Sequence, residues 1–257
     1  MAASSTRFQV APTYQPLMRM LGLDAETVFS HPDIKVWRKL PDRENCKLDA
    51  DLPDGRHVRL HIKRFGAADA AQPEVEGHRH LEQAQIPNAP LVGWGTARDL
   101  GSFVIFDDLT GYIPADKLIE QGADFESLFL GPTAELAAKL HKVGLHHRDL
   151  YLCHFMARVV DGSADLKLID TARVKRLPTW FARRWIVKDL AQFWYSTLRL
   201  NVTQIQRTQW LAEYLHHRGL AEDAGLTKAI ERKVRSIAWH DARLHQKRPE
   251  RDVSIPV

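Results

Sequence analysis

The sequence predicts an α+β chain in two lobes, a small antiparallel β lobe carrying one helix and then a large, mainly helical lobe. Three observations predict it. Between residues 34 and 106 short runs alternate apolar with polar residues, the period of half-buried strands, and one helical stretch interrupts them. Beyond residue 130 the apolar residues take up the 3.6-residue period of helices. Between the helical stretches lies a polar run, His147-Arg148-Asp149, followed by two apolar runs joined at Asp161-Gly162, a hairpin signal. The division expected is an N-terminal arm over 1–30, the small lobe over 31–108 and the large lobe over 109–257.

The elements follow in order. Residues 1–30 carry few patterned apolar positions and predict an arm with a short helix. Ile34 to Leu40 and Cys46 to Leu52 read as strands around a turn at Pro41-Asp42-Arg43-Glu44-Asn45. After Pro53-Asp54-Gly55-Arg56, the stretch His57 to Phe65 alternates with Val58, Leu60 and Ile62 on its apolar face. A helix is expected over about 69–85, with Asp69 and Gln72 at capping-box spacing and Ile86-Pro87-Asn88 ending it. Leu91 to Thr96 and Ser102 to Phe106 complete the small lobe. Asp107-Asp108-Leu109-Thr110-Gly111 is polar and turn-rich and reads as the connection between lobes. Gly131-Pro132-Thr133 starts a helix with Leu136, Leu140 and Val143 on one stripe, ended by Gly144. Helices resume near Trp185 and run to about 246, and Pro249 to Val257 is expected to fray.

Composition bounds the function. With hydrophobic residues at 44% and charged residues at 26%, the chain is an ordinary globular one, long enough for two lobes. No run reaches the ~18 apolar residues of a membrane helix. Met1 to Val10 has no apolar core of a secretory signal. Cys46 and Cys153 suggest no disulfide framework, so a cytoplasmic setting is expected. The net charge of +4 favours anionic partners such as nucleotides, phosphorylated sugars or an acidic membrane face.

His-Arg-Asp between a helix and a hairpin is the opening of a protein-kinase catalytic loop. Phosphoryl transfer asks the protein for positioning and for neutralisation of developing charge. Asp149 is then the residue that accepts or orients the acceptor hydroxyl. Asp170, at the exit of Leu166-Lys167-Leu168-Ile169, is a hard oxygen ligand suited to magnesium. Lys63, on the third strand and opposite the Leu60 and Ile62 face, would hold the α- and β-phosphates of ATP; the alternative is a solvent-facing strand lysine. Glu74, near the start of the helix, would pair with Lys63, with Glu76 and Glu82 as rivals. Two departures stand out. Position 154, five after Asp149, holds His where kinases place Asn, and His154 would ligate the metal or orient Asp170. The turn after Leu40 contains no glycine, so Lys39 or Arg43 would replace a glycine-rich phosphate loop.

The nine residues His147-Arg148-Asp149-Leu150-Tyr151-Leu152-Cys153-His154-Phe155 resemble the signature of the lipopolysaccharide kinase (Kdo/WaaP) family. The resemblance extends to Leu140-His141-Lys142-Val143-Gly144, to Leu168-Ile169-Asp170 with Arg173, and to Arg184 through Ala191. It also includes Glu74 ahead of Ile86-Pro87, and spans about residues 30–217. It implies a protein-kinase-like two-lobed fold and an ATP- and Mg2+-dependent kinase of a lipopolysaccharide core sugar, heptose in that family. The implied acceptor is lipid A-core, met at the cytoplasmic face of the inner membrane by peripheral contact, with no nucleic acid partner. His154 is the family's usual residue at its position. The alternatives are a kinase of another small molecule or of protein, or a pseudokinase scaffold, which the missing glycine loop favours.

Other clusters read more plainly. His141, His146, His147, Cys153 and His154 fit no closed four-ligand zinc spacing. Trp180, Trp185, Trp194, Trp210 and Trp239 are expected as core anchors of the helical lobe. Lys228, Arg232, Lys233 and Arg235 form a basic face on the last helix, solvated or turned to phospholipid or phosphorylated sugar. Asp189 is expected to support the catalytic-loop backbone.

Overall fold

The computed structural model describes residues 6–221 and 223–247; the frayed end expected after Pro249 lies outside them. The chain forms two compact units. Of the described residues, the first comprises 6–79 and 89–110, and the second 80–88 and those from 111 to 247.

The first unit is built on a six-stranded antiparallel sheet. Its strands are β1 (Arg7–Val10), β2 (Ile34–Lys39), β3 (Arg43–Asp51), β4 (His57–Phe65), β5 (Leu91–Ala97) and β6 (Gly101–Asp107), in the order β1-β5-β6-β4-β3-β2. Alternation along β4 sorts its side chains to two faces. Leu60 and Ile62 enter a core with Leu48, Val92, Phe103 and Ile105. Phe65 enters the other, with Val75, Leu91 and Val104. The helix α3 (Gln72–Gln83) contributes Val75 to that second face, and its C-terminal part belongs to the second unit.

The expected N-terminal arm is corrected here. Residues 7–30 form β1, which pairs with β5 from Arg7↔Thr96 to Val10↔Gly93, and the helices α1 (Gln15–Met20) and α2 (Thr27–Ser30). Met18, Leu23 and Val28 are buried in the first core, each worth roughly 1.5–3 kcal/mol in apolar burial. β1 approaches so closely that a Cβ on Gly95 would stand 2.0 Å from the Arg7 carbonyl oxygen. Glycine is required there by space alone.

The second unit opens with β7 (Ile113–Pro114) and α4 (Ala115–Glu120), followed by α5 (Gly131–Lys142), which ends at Gly144 with φ +76°. Then come β8 (Leu145–His146), β9 (Phe155–Val160), β10 (Ser163–Leu168) and β11 (Lys175–Arg176). The hairpin of β9 and β10 turns through Asp161 and Gly162, both with positive φ, the geometry that suits a two-residue hairpin loop. Three long helices complete the unit: α6 (Ala182–Thr197), α7 (Gln204–Arg218) and α8 (Ala224–Lys247). Phe193 of α6 stacks on Trp210 of α7 at 4.0 Å between ring centroids, and Phe155 meets Phe193 edge-on. Trp194 and Trp210 are core residues as expected, but Trp180 and Trp239 are 91% and 63% exposed. Trp185 is half-buried under three cations instead.

Candidate active site

In the first unit β4 and α3 bring one pair together. Lys63 Nζ donates to Glu74 Oε1 in a tight ion pair, with the Glu74 side chain almost fully buried. The rivals lie elsewhere: Glu76 accepts from Gln72 Nε2 at 3.0 Å, and Glu82 is exposed. A buried carboxylate beside an ammonium fixes the charge of Lys63 at one position. The hairpin of β2 and β3 closes tightly, with Leu40 N–H donating to Arg43 O at 2.8 Å, and Lys39 pairs with Glu44 at 3.0 Å. Lys39, one of the two cations expected to replace a glycine loop, is thus engaged on its own hairpin.

In the second unit the loop from His147 to His154 is threaded along one face of α6. Asp189 Oδ2 accepts from the backbone N–H of His147 at 2.7 Å, and Oδ1 from that of Arg148 at 2.8 Å. Gln192 Oε1 accepts from Leu150 N–H at 3.3 Å and Ser196 Oγ from Leu152 N–H at 3.0 Å. Lys188 Nζ closes the set by donating to Arg148 O. Residues 189, 192 and 196 share a helix face by spacing, so one rigid element satisfies four loop donors. Among them is Arg148, held at φ +67°, a strained conformation for a non-glycine residue.

Asp189 is completely buried. Burial alone pushes its carboxyl upward, but the hydrogen bond and charge of His141, with the His147 N–H, draw it below the usual carboxylate range. His141 Nε2 donates to Asp189 Oδ2 at 3.2 Å, and the Tyr214 hydroxyl lies 2.8 Å from its Nδ1.

The result is a fixed Asp149. Its Oδ1 accepts from Gln192 Nε2 at 3.3 Å and pairs with Arg173 at 3.1 Å. Gln192 thus uses both ends of one amide, holding the loop backbone and orienting the carboxylate. His154 sits between the two acids. Its Nδ1 donates to the Asp149 carbonyl oxygen at 2.6 Å, and its Nε2 lies 3.8 Å from Asp170 Oδ2. Ile169 N–H donates to His154 O at 3.1 Å, and His147 Nε2 donates to Ile169 O at the same distance. Asp170 leaves β10 with φ +62°, turning its side chain out of the strand.

Asp149, His154 and Asp170 are thus brought together in the second unit, and Lys63 and Glu74 in the first. Sequence reasoning missed Lys188, Gln192 and Ser196. The available signal was polar residues at helical spacing inside an otherwise apolar stretch of α6.

A sheet lobe with a strand lysine paired to a helix glutamate, and a helical lobe with a His-Arg-Asp loop ahead of an Asp-bearing hairpin, define a kinase. Among solved structures, the aminoglycoside phosphotransferase APH(3'')-Id from Streptomyces rimosus superposes with a TM-score of 0.52 at 13% identity, covering 85% of this chain and 96% of that one. That likeness carries the fold. The chain belongs to the lipopolysaccharide kinase (Kdo/WaaP) family, whose model matches residues 59–214. The lipopolysaccharide core heptose(I) kinase WaaP of Pseudomonas aeruginosa is 25% identical over 233 residues, covering 79% of this chain and 86% of its own length. Its namesake from Escherichia coli K12 is 30% identical over 116 residues, covering 40% of this chain and 42% of its own length.

Proposed function

We propose that this kinase transfers the γ-phosphate of ATP to a heptose hydroxyl of lipopolysaccharide core. The observation that carries the reading is Asp149. Its backbone neighbours are pinned to α6 and its carboxylate is oriented by Gln192, as a group that must align a hydroxyl requires. The acceptor oxygen bonds to the γ-phosphorus as the bond to the β–γ bridging oxygen breaks. ADP leaves with that electron pair, and the hydroxyl proton passes to Asp149. A carboxylate is a weak base, so its main task is alignment, and proton transfer follows as the oxygen loses electron density.

Lys63, fixed by Glu74, neutralises the α- and β-phosphates. Asp170 would hold a magnesium ion, since one carboxylate with substrate phosphate oxygens is the usual donor set for this cation. His154, anchored by Nδ1 on the Asp149 carbonyl oxygen and 3.8 Å from Asp170 Oδ2 through Nε2, would ligate the ion or orient Asp170. When bound, Mg2+ supplies charge neutralisation at the transferring phosphoryl group. No helix among the described residues is long and apolar enough to cross a membrane. At the cytoplasmic face of the inner membrane the chain would meet its lipid-bearing acceptor by peripheral contact.

The test is product identification. Purified protein, ATP and lipid A-core should yield one added phosphate, mapped to heptose by mass spectrometry of the released oligosaccharide. Label appearing on protein or on an unrelated small molecule, with none on the saccharide, would overturn the assignment.

A further inference from the structure

Two cavities in the second unit lie side by side along α6 and α8. One, about 450 Å³, contains Asp149 together with Tyr151, Gln192 and the exposed ring of Trp239. The other, about 740 Å³, is walled by Arg148, Arg183, Arg184, Lys188, Arg232 and Lys233 and has no carboxylate in its lining. Lys188, Lys233 and Ser236 line both, so the two spaces share a wall of side chains.

Six cations around one concavity repel one another, and the protein does little to offset it. Among the described residues only Arg183 of the six is in an ion pair, with Asp223 at 2.9 Å. Arg148, Arg184 and Lys188 crowd instead over the ring of Trp185, at 4.5, 5.7 and 5.9 Å from its centroid. Burial draws the Lys188 ammonium below its ordinary range, although the charges of Asp149 and Asp189 oppose the shift. A solvated basic face would spread its charges outward on one helix. Here they converge from the catalytic loop and two helices on a common space. An anion entering that space gains attraction from several sides and relieves the mutual repulsion.

We propose that this basic cavity binds an anionic group, phosphate or carboxylate, carried by the same saccharide acceptor whose hydroxyl Asp149 orients. The proposal rests on the sugar-kinase reading and adds to it a place on this chain where the acceptor's charge is held. Its reacting unit occupies the cavity of Asp149, where Trp239 offers an aromatic face, and its charge lies across Lys188 and Lys233 in the neighbouring space. Charge at a distance from the reacting bond sets which sugar enters and in which orientation.

The experiment is a nucleotide-free binding titration, following intrinsic tryptophan fluorescence, with deacylated lipid A-core oligosaccharide as the probe. The wild type should saturate. The double substitution Arg232→Glu with Lys233→Glu should weaken binding by about tenfold or more, and Arg232→Lys with Lys233→Arg should restore it. Equal thermal melts for all three proteins separate lost charge from lost fold. Removing phosphates from the probe in one arm, or reducing its carboxylates in another, should abolish the difference between wild type and the Glu variant, and whichever arm does so identifies the anion. If neither does, or if the Glu variant binds the intact probe as the wild type does, the proposal is overturned. It is overturned also if the Glu variant loses only binding to phosphatidylglycerol vesicles, which would make the cavity a membrane contact. Because no transfer is measured, failure of the heptose assignment shows in the product analysis and failure of this site shows here.

Discussion

The two units fix their charged groups by different means. In the first, Lys63 is held through its side chain: a flexible four-carbon stem ends in an ammonium that pairs with Glu74. In the second, Asp149 is held through its backbone. Asp189, Gln192 and Ser196 on a single helix accept from four loop N–H groups before any side-chain contact to Asp149 is counted. The difference matches the tasks proposed for the two groups. A phosphate needs a nearby positive charge and tolerates a shift of that charge; a hydroxyl must be aligned with the bond it attacks, where small displacements are costly. Precision is therefore expected to be sensitive to substitutions in α6 far more than to changes in the sheet.

The largest effect that would break this contrast is Asp189→Ala. It leaves the His147 and Arg148 N–H groups buried without acceptors and His141 without its carboxylate. The expected loss is about 3–5 kcal/mol of stability, or roughly 10 °C in Tm, with transfer lost in parallel. A thermal melt unchanged within two degrees would show that the loop is held by something else.

Next in size is an acid effect at His146, which packs against Trp185 at 5.0 Å and is pushed down to about 4 by burial, reinforced by Arg148 and opposed by Asp189. A folded-state value below the unfolded one favours the neutral ring. Its contribution is therefore fully present above the unfolded value near 6.5 and fades as pH falls from there towards 4. The loss amounts to about 3 kcal/mol at most. Urea titrations at pH 7 and pH 4.5 should show a steeper acid loss in the wild type than in His146→Phe.

A counterpart in the sheet is Gly95→Ala. The added methyl meets the Arg7 carbonyl and the Phe103 ring. It should cost about 2 kcal/mol and loosen β1, while the rate of transfer in the folded protein stays near that of the wild type. A large fall in kcat would contradict the contrast, because it would give the sheet edge the sensitivity assigned to α6.

The smallest and most specific effect is at Gln192. Gln192→Glu keeps an acceptor for Leu150 N–H but replaces the donor to Asp149 with a second carboxylate. A roughly tenfold fall in kcat is expected, with the melting temperature little changed and the acid limb of the rate profile moved to higher pH. An unaltered pH profile would remove Gln192 from the site.

What could be read from the sequence was what the chemistry demands of side chains. Asp149, His154 and Asp170 stand on a hairpin and loop whose turn signals are local, and Lys63 lies on a strand whose alternation is regular. The choice of Glu74 over Glu76 needed the register of α3 against β4, which spacing alone leaves open. The grip of α6 was hidden for a different reason. Its recipients are backbone N–H groups, which every residue carries, so only Asp189 was legible as a supporting carboxylate. Within residues 7–30 a short helix was legible, but β1 and the burial of Met18, Leu23 and Val28 were not, because elements of four to six residues are too short to show a period. Trp180 and Trp239 were misread because tryptophan signals burial by its size. In this fold Trp239 stands open beside Asp149.

The division of labour between the units is tested most directly by measuring the equilibrium dissociation constant of ATP with magnesium for wild type, Lys63→Met and Asp149→Asn. Lys63→Met should weaken ATP by about tenfold or more, whereas Asp149→Asn should bind ATP as the wild type does while transferring no phosphate. Equal ATP affinity in Lys63→Met, or its loss in Asp149→Asn, would contradict the assignment of nucleotide to one residue and acceptor to the other.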